Sequence, residues 1–406
     1  MLLKKMVFGL LFATLPLLSA TKEEQKVQKL SQECGDFGFS LYKVLNNGSS
    51  PNLIYSPYSI FSCLSMVSIG AREDTATEMQ QALHLTFNRT DLPKAASLLA
   101  KYLTTPVHTS YTLDVANGLW LDRDSFVLAD YRHALEEGYR ANIQSLDFSK
   151  TEEATALINE WVSNETHGKI SRLLQANDLD GSTRMVLTNA VYFQGSWQKP
   201  FDAKKTKESD FYPDSETTMP VQMMEQTASF LFLEDESMQV LSLPFLKKDE
   251  KSTLACLIFL PKKGKELSDI EKLMSNELLS RWVGGLHNER VHVKMPKFQL
   301  DSRTDLNAPL AAIGIKTAFT EKANFSGIDG MRDLFLSRVV HQAFFSLDEL
   351  GVVAAAATAA SMNVTATPPA SPLRQFIVDR PFLLLLVDLN TKLPLFIVKI
   401  QEPNCG

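Results

Sequence analysis

Histidine is the side chain best suited to acid–base chemistry near neutral pH, and this chain has seven histidines. The sequence contains no HExxH zinc motif, no G-x-S-x-G nucleophile elbow, no P-loop and no dinucleotide-binding G-x-G-x-x-G. His341 lies between the strand-like segments LFLSRVV and AFFSLDE, where a buried histidine with satisfied hydrogen bonds is expected. A Ser–His–Asp triad whose members come together only in the folded protein remains an alternative. Because no motif supports catalysis, we predict that the chain is not an enzyme and has no catalytic residue.

The four cysteines are the next candidates for chemistry, namely Cys34, Cys63, Cys256 and Cys405. None belongs to a CxxC pair, so we predict no metal site and no cofactor. The first three lie within apolar patterns that suit buried free thiols, although an even count in an exported protein also permits disulfides. Cys405, next to the last residue, is expected to be the most exposed.

Composition narrows the class of protein. The 406 residues are 45% hydrophobic and 22% charged, which is typical of a globular protein. A net charge of −6 and the lack of a long basic run argue against nucleic-acid binding.

The N-terminus has the features of an export signal. Lys4 and Lys5 precede an apolar run at 6–18 that is too short to span a bilayer comfortably. Ser19 and Ala20 are small and could mark cleavage before Thr21. We therefore predict a signal peptide at 1–20 and a secreted protein, extracellular or, in a bacterium, periplasmic. An uncleaved anchor is the alternative. No later apolar run is long enough for a membrane span, so no membrane association is expected after the signal is removed.

The stretch GVVAAAATAASMNVTATPPAS, at 351–371, is almost entirely Ala, Thr, Ser and Val and carries no charge. Four consecutive alanines favour a helix, whereas the Thr, Ser, Asn and Pro that follow favour a loop. On composition alone a disordered linker would be the simplest interpretation.

Helices and strands alternate on both sides of this stretch. Residues 27–44 have the three-to-four spacing of an amphipathic helix. Ser56-Pro57 offers an N-cap for a second helix, and Thr75 with Glu78 a capping box for a third. Further helices are predicted at 92–103, 131–139 and 152–162, and strands at 112–121, 185–193, 252–261, 291–298 and 382–400, the last range as two strands. Mixed elements without a linker predict one α+β domain.

Seven segments together resemble the serpin family of serine protease inhibitors. FIVDRPFLLLL (376–386) resembles the family's C-terminal signature, and the other motifs occur in family order across nearly all of the mature chain. They are IYSPYSI (54–60), GAREDTATEMQQAL (70–83), INEWVSNETHGKI (158–170), LTNAVYFQGSWQKPF (187–201), MPKF (295–298) and VVHQAFFSLDELG (339–351).

The resemblance implies a fold and a conformational change. We expect one domain at 21–406 with three β-sheets, eight or nine helices and an exposed reactive-centre loop at 349–371. The largest sheet would have five strands and could accept the loop as another strand. The inhibitory hinge pattern is matched by Glu349, Gly351, Val352, Ala354, Ala355, Ala356, Ala357 and Thr358. Val353 replaces a usual acid at a position expected to face outward.

The composition of the hinge suits insertion into a sheet. Small side chains avoid overpacking, and a charge or a proline would oppose burial and pairing in a central strand. Residues 351–364 contain neither and would reach about 46 Å as a strand. Paired on both sides, they would gain on the order of 10 kcal/mol from a dozen hydrogen bonds at ~1 kcal/mol each.

Family spacing places the bond attacked by a protease between Thr365 and Ala366. Met362-Asn363, Val364-Thr365 and Ala366-Thr367 are alternatives. Most of these residues are small or β-branched, which suits an elastase-type pocket, with a chymotrypsin-like target also possible. The implied mechanism traps the acyl-enzyme in a covalent one-to-one complex when the cleaved loop inserts.

Other positions match family sites residue by residue. Ser56, Asn189 and His341 match a polar cluster beneath the main sheet, called the shutter. Trp197 and Lys297 match the breach, the point of first insertion, where Lys297 pairs with Glu349. The helix with Lys94 and Lys101 lacks a heparin-binding cationic cluster, so heparin control is not expected. The protein is expected to be a monomer.

Three other functions stay open. A non-inhibitory carrier or chaperone-like serpin is the first, and the unspoiled hinge argues against it. An inhibitor of cysteine proteases would use the same loop. An enzyme is the least supported, since no catalytic motif is present.

Overall fold

The computed structural model describes residues 20–47, 50–104, 111–246, 253–352 and 372–403. These residues form ten α-helices: α1 Lys22–Leu45, α2 Pro57–Ser68, α3 Glu73–Ala82, α4 Leu92–Thr104, α5 Ala129–Gly138, α6 Thr151–Glu165, α7 Leu267–Leu273, α8 Asn276–Gly285, α9 Asn307–Ala312 and α10 Ser326–Asp329. The predicted helices at 27–44, 92–103, 131–139 and 152–162 are all confirmed, with ends shifted by a few residues.

The first two helices both begin at side-chain caps, of which the sequence predicts the one at Ser56. Thr21 caps α1 through a capping box with Glu24, whose backbone N–H donates to the Thr21 hydroxyl at 3.2 Å. Ser56 caps α2 by accepting a hydrogen bond from the Ser59 N–H at 3.2 Å, and Pro57 is the first helical residue. Both caps satisfy backbone donors that the helix leaves unpaired.

The capping box predicted at Thr75 is wrong. Helix α3 begins two residues earlier, at Glu73, and its N-cap residue Arg72 makes no side-chain cap. Thr75 is buried inside the helix and accepts a hydrogen bond from the Asn324 N–H at 3.0 Å. Glu78 accepts two backbone N–H groups at 316–317, each at 2.7 Å. Tertiary partners therefore take both side chains away from the local cap.

The described residues also form fifteen strands in two hydrogen-bonded sheets. They are β1 Leu53–Tyr55, β2 Tyr111–Asp122, β3 Asn142–Leu146, β4 Met185–Ser196, β5 Lys207–Phe211, β6 Met219–Glu234, β7 Met238–Pro244, β8 Leu254–Pro261, β9 His287–Pro296, β10 Phe298–Asp305, β11 Leu336–Leu347, β12 Gly351–Val352, β13 Arg374–Ile377, β14 Phe382–Asp388 and β15 Leu393–Ile400. All the predicted strands are present, including two at 382–400.

The six-stranded sheet has the order β10-β11-β12-β4-β2-β3, and β11 also pairs directly with β4. Without the two-residue strand β12 it would have the five strands expected of the sheet that accepts the loop. Helix α6 packs against one face of this sheet, where Ile158 and Val162 join a core with Val186 and Val340.

The nine-stranded sheet has the order β1-β15-β14-β8-β7-β6-β9-β13, with β5 paired to β6. We expected three sheets, and the hydrogen bonds join them into two because β6 is 16 residues long. Its first five residues pair with β5, the stretch from Met223 to Phe232 pairs with β9, and its last four residues pair with β7. One continuous strand therefore links two groups of strands.

The main core lies against the nine-stranded sheet, where β8, β14 and β15 are buried at every position. Cys34, Cys63 and Cys256 are buried free thiols, so the described cysteines form no disulfide. Burial raises the pKa of each thiol, which keeps them protonated and unreactive. Cys405 lies outside the described residues.

Within the described part of the chain, no helix combines the length and the apolar character that crossing a bilayer requires.

Candidate functional site

The boundary between β4 and β11, called here the seam, is closed along only part of its length. The two strands pair in parallel from Met185–Leu336 to Val191–Ala343. Beyond that point β12 lies between them, with Val352 opposite Leu347 of β11 and Gly195 of β4. The seam is therefore already open by one strand at this end, and the first two residues of the uncharged stretch occupy the opening.

A tight turn at 348–351 leads from β11 into β12. The Asp348 carboxylate accepts hydrogen bonds from the backbone N–H groups of Leu350 at 2.8 Å and Gly351 at 3.2 Å. A Cβ atom at Gly351 would lie 2.0 Å from the Gly195 carbonyl oxygen. Glycine is therefore required here by the close approach of the β4 backbone.

Glu349 anchors the same turn from the side. Its carboxylate lies 2.8 Å from Lys297 Nζ and accepts a hydrogen bond from the Thr206 hydroxyl at 2.6 Å. Burial alone would raise the pKa of Glu349, but these hydrogen bonds outweigh it and hold the pKa below its ordinary value. Glu349 is therefore ionised at neutral pH, and it ties the base of the stretch to the segments that carry Lys297 and Thr206.

Trp197 closes the open end of the seam. Its indole Nε1–H donates to the Asp348 carbonyl at 3.0 Å, and its backbone N–H donates to the Leu350 carbonyl at 2.8 Å. The ring stacks on Phe245 with centroids 4.8 Å apart. The side chain is buried, so any movement of the turn at 348–351 must disturb this packing.

Ser56, Asn189 and His341 meet beneath the closed part of the seam. His341 and Asn189 are register partners on β11 and β4, with His341 Nδ1 at 2.6 Å from Asn189 Oδ1. The Ser56 backbone N–H donates to His341 Nε2 at 3.2 Å. This pattern requires a neutral ring protonated on Nδ1. Burial lowers the pKa of His341 to about 3, so the ring stays neutral across the physiological range.

Sequence reasoning missed further members of this polar cluster. The Asn189 side-chain amide donates to the Ser59 carbonyl at 3.1 Å and to Asn117 Oδ1 at 2.8 Å. Asn117 in turn donates to the Ser62 hydroxyl at 3.1 Å. The sequence signal for Asn117 was a polar residue within the apolar pattern of β2. In the structure this position pairs with Asn189. Thr206 and Asp348 gave no comparable signal, since both lie in polar turns.

The remaining predicted positions lie outside the described residues. These are Ala354, Ala355, Ala356, Ala357 and Thr358 of the hinge and Met362, Asn363, Val364, Thr365, Ala366 and Thr367 around the attacked bond. Of the hinge, Glu349, Gly351 and Val352 are described, and all three are buried.

The geometry of this polar cluster rules out a catalytic role for His341. His341 is 0% exposed, and both ring nitrogens are engaged, one with Asn189 and the other with a backbone N–H. A general base must reach the proton that it abstracts, and His341 cannot. What the arrangement does is join β4 and β11 through a satisfied, buried hydrogen-bond network, which fixes how the two strands meet.

Comparisons with known proteins extend over nearly the whole chain. A family model described as "Serpin (serine protease inhibitor)" matches residues 32–403. Human Serpin B9 is 36% identical over 385 residues, covering 93% of this chain and 100% of the relative. The leukocyte elastase inhibitor of Sus scrofa is 34% identical over 387 residues, with coverage of 93% and 100%. The solved structure of human thyroxine-binding globulin complexed with thyroxine has a TM-score of 0.82 and 31% identity, with coverage of 94% and 100%.

Proposed function

Because this chain belongs to the serpin family, we propose that it is a secreted inhibitory serpin that traps a serine protease by inserting its own cleaved loop into the six-stranded sheet. Membership confirms the resemblance and the fold class predicted from the sequence. The family is described as one of protease inhibitors, and relatives are named as inhibitors, which confirms that the chain is not an enzyme.

The observation that carries the proposal is the position of β12. Val352 is already paired on both sides, with Leu347 of β11 and Gly195 of β4, and Gly351 pairs with Ser196 of β4. Lengthening β12 would extend this pairing along the seam and separate β4 from β11. The residues that would follow, at 353–364, are small or uncharged and include no proline, so burial between two strands is compatible with their side chains.

In the proposed inhibition the protease completes acylation by the loop, but hydrolysis of the resulting ester is slowed. The protease serine oxygen attacks the Thr365 carbonyl carbon, the Thr365–Ala366 bond breaks, and the new amine of Ala366 takes the proton from the protease histidine. The ester to Thr365 then travels with the inserting strand. Distortion of the protease site slows hydrolysis of this ester, since a displacement of about 1 Å can reduce a rate about 100-fold.

We propose a protease with a preference for small residues as the target. Thr365 and the alternative residues Val364 and Ala366 are small or β-branched, so a shallow elastase-type pocket accepts them better than the deep acidic pocket of a trypsin. A relative of this chain is named as an inhibitor of leukocyte elastase. The protein would act as a monomer, without a cofactor, in a one-to-one complex.

Secretion is the second part of the proposal. Residues 1–19 of the predicted signal peptide at 1–20 lie outside the described residues, and Ala20 is followed by Thr21, the N-cap of α1. Cleavage before Thr21 would leave that residue as the N-cap, with its N–H 2.8 Å from the Glu24 carboxylate. The N-terminal sequence of the exported protein should therefore begin with Thr21.

The central experiment mixes the mature protein with elastase-like, chymotrypsin-like and trypsin-like proteases. We expect an SDS-stable complex with the first, and a released C-terminal peptide that begins at Ala366. A peptide beginning elsewhere at 363–367 would move the attacked bond, and complete cleavage without any covalent complex would refute inhibition.

A pair of hinge variants separates insertion from cleavage. Ala354 would share the buried face of the inserted strand with Val352, whereas Val353 would face outward. Ala354→Glu should turn the inhibitor into a substrate, because an unpaired carboxylate would be buried on insertion. The matched control Val353→Glu should still form the complex. Equal behaviour of the two variants would argue against insertion.

One solved structure supports a second candidate function, that of a small-molecule carrier. Human thyroxine-binding globulin, in its complex with thyroxine, shares this fold at 31% identity. A carrier would bind a small ligand and would be cleaved without trapping any protease, so the complex assay decides between the two functions. Including a cysteine protease in the panel tests the remaining alternative.

A further inference from the structure

The segment at 166–184, called here the strap, connects α6 to β4 and crosses the face of the six-stranded sheet. Ile170, Leu173, Leu174 and Leu179 are buried in a core that includes Val186 of β4 and Val340 of β11. The strap therefore covers both strands of the seam.

Both ends of the strap are attached to the β4 half of the sheet, and the second end also contacts β11, since the Arg184 N–H donates to the Ser337 hydroxyl at 2.9 Å. At its start, His167 Nε2 lies 2.9 Å from the carboxylate of Asp114 on β2, and its ring meets the edge of Tyr192 on β4. At its end, the Arg184 carbonyl accepts a hydrogen bond from the backbone N–H of Asp122 on β2. In between, Asn159 of α6 holds Leu174 by two hydrogen bonds, at 2.8 and 2.9 Å.

The middle of the strap is tied to the other half of the sheet. Arg303 of β10 donates from Nε to the Leu173 carbonyl at 2.6 Å and pairs with the Asp178 carboxylate. Arg338 of β11 donates to the Asp178 carbonyl at 3.3 Å and lies 3.9 Å from its carboxylate. Lys169 lies over the ring of Phe344 on β11, 5.9 Å from its centroid.

These contacts cross the seam, and they are partly shielded from water. The Asp178 side chain is 12% exposed, and those of Arg303 and Arg338 are 21% and 29% exposed. A new strand between β4 and β11 would move the two halves apart by about 4.8 Å. The ties at 2.6 to 3.3 Å cannot survive that displacement while the strap stays anchored on the β4 half.

We propose that Asp178, held by Arg303 and Arg338, is a positioning residue that sets the rate at which the seam opens for the inserting loop. The inference rests on the proposed function and adds a residue outside the hinge and the seam. The ties stabilise the uncleaved form and are broken in the inserted form. They therefore slow insertion and protect the uncleaved protein from converting spontaneously.

The test compares Asp178→Asn with Asp305→Asn. The first substitution removes the charge that Arg303 and Arg338 share across the seam, while the amide oxygen can still accept the Gln175 N–H. The control removes a carboxylate that pairs with the same Arg338 but lies on β10, so that this pair stays within one half of the sheet. Each protein is studied uncleaved and after cleavage of the loop by a protease that is not inhibited.

Insertion is followed by tryptophan fluorescence after rapid loop cleavage, and stability by thermal melting of both forms. For Asp178→Asn we expect insertion about tenfold faster, equivalent to about 1.4 kcal/mol in the barrier. The melting temperature should fall for the uncleaved form alone. Asp305→Asn should leave the insertion rate unchanged.

Two outcomes would overturn the role of Asp178. One is an equal fall in melting temperature for the uncleaved and cleaved forms, which a merely structural contact would produce. The other is an unchanged insertion rate. If the wild-type protein itself shows no rise in melting temperature on loop cleavage, the proposed function fails instead, so the two failures are distinguishable.

Discussion

At the scale of single residues, burial decides what His341 can do. The ring lies between the Asn189 side chain and the Ser56 backbone and is inaccessible to solvent. Its pKa of about 3 lies well below the ordinary value of 6.5. Between these two values the unfolded chain binds a proton that the folded chain does not, so stability must fall as the pH decreases through that window.

The prediction at this scale concerns His341→Gln. Glutamine cannot be protonated, yet it can donate to Asn189 and accept from the Ser56 N–H. We expect the wild-type protein to lose stability towards urea between pH 6.5 and pH 4, and the variant to lose markedly less. The measurement is the urea midpoint as a function of pH. Parallel pH profiles for the two proteins would show that His341 does not carry the effect.

At the scale of elements, the two-residue strand β12 depends on a glycine. The turn at 348–351 is held by Asp348, Glu349 and Trp197 through hydrogen bonds already described. These contacts bring Gly351 against the β4 backbone so closely that no side chain fits. The open end of the seam is therefore occupied only while position 351 lacks a Cβ atom.

The corresponding prediction is that Gly351→Ala releases β12 from the sheet. A Cβ atom 2.0 Å from the Gly195 carbonyl oxygen cannot be accommodated without moving backbone. Hydrogen exchange at the Trp197 amide, which donates to Leu350, should become faster. Gly284→Ala is the matched control, because no atom lies within 4 Å of its added Cβ. Unchanged exchange in the first variant would contradict the steric argument.

At the scale of the whole molecule, the six-stranded sheet has two alternative arrangements of its strands. In the described form, β4 and β11 pair directly over most of the seam. In the proposed form, a full strand separates them and gains pairing on both sides. The second form has more hydrogen bonds and more buried surface, so the first is expected to persist because of a kinetic barrier.

The prediction at this scale is a rise in thermal stability on loop cleavage. A dozen new hydrogen bonds at ~1 kcal/mol each are worth on the order of 10 kcal/mol. Spread over a chain of this size, that gain should raise the melting temperature by roughly 10 °C or more. Calorimetry before and after cleavage at 353–371 measures the effect. A melting temperature that does not change would exclude strand insertion as the source of inhibition.

Much of the fold was predictable because local signals agreed with tertiary packing. The apolar runs of β8, β14 and β15 are central strands buried at every position. The cap predicted at Ser56 is satisfied within its own helix. The failure at Thr75 has the opposite cause, since its hydroxyl meets the distant Asn324 instead of its own helix.

The number of sheets was not predictable either, because it depends on contacts between segments that are far apart in the chain. The sequence predicts strands but not where one strand exchanges partners, and β6 pairs with β9 along most of its length and with β7 only at its end. Asn117 was missed for a related reason, because its partner Asn189 is remote in the chain.

The sequence by itself determined the elements, the family and the hinge pattern, because these depend on spacing, side-chain size and the absence of charge and proline. Only the tertiary structure decided where the hinge begins to insert, since that position requires β4 and β11 to separate above Val191 and Ala343. It also decided that Asp178 meets Arg303 and Arg338. Attraction between charges falls off with distance in space, and chain folding alone brings these three residues together across the seam.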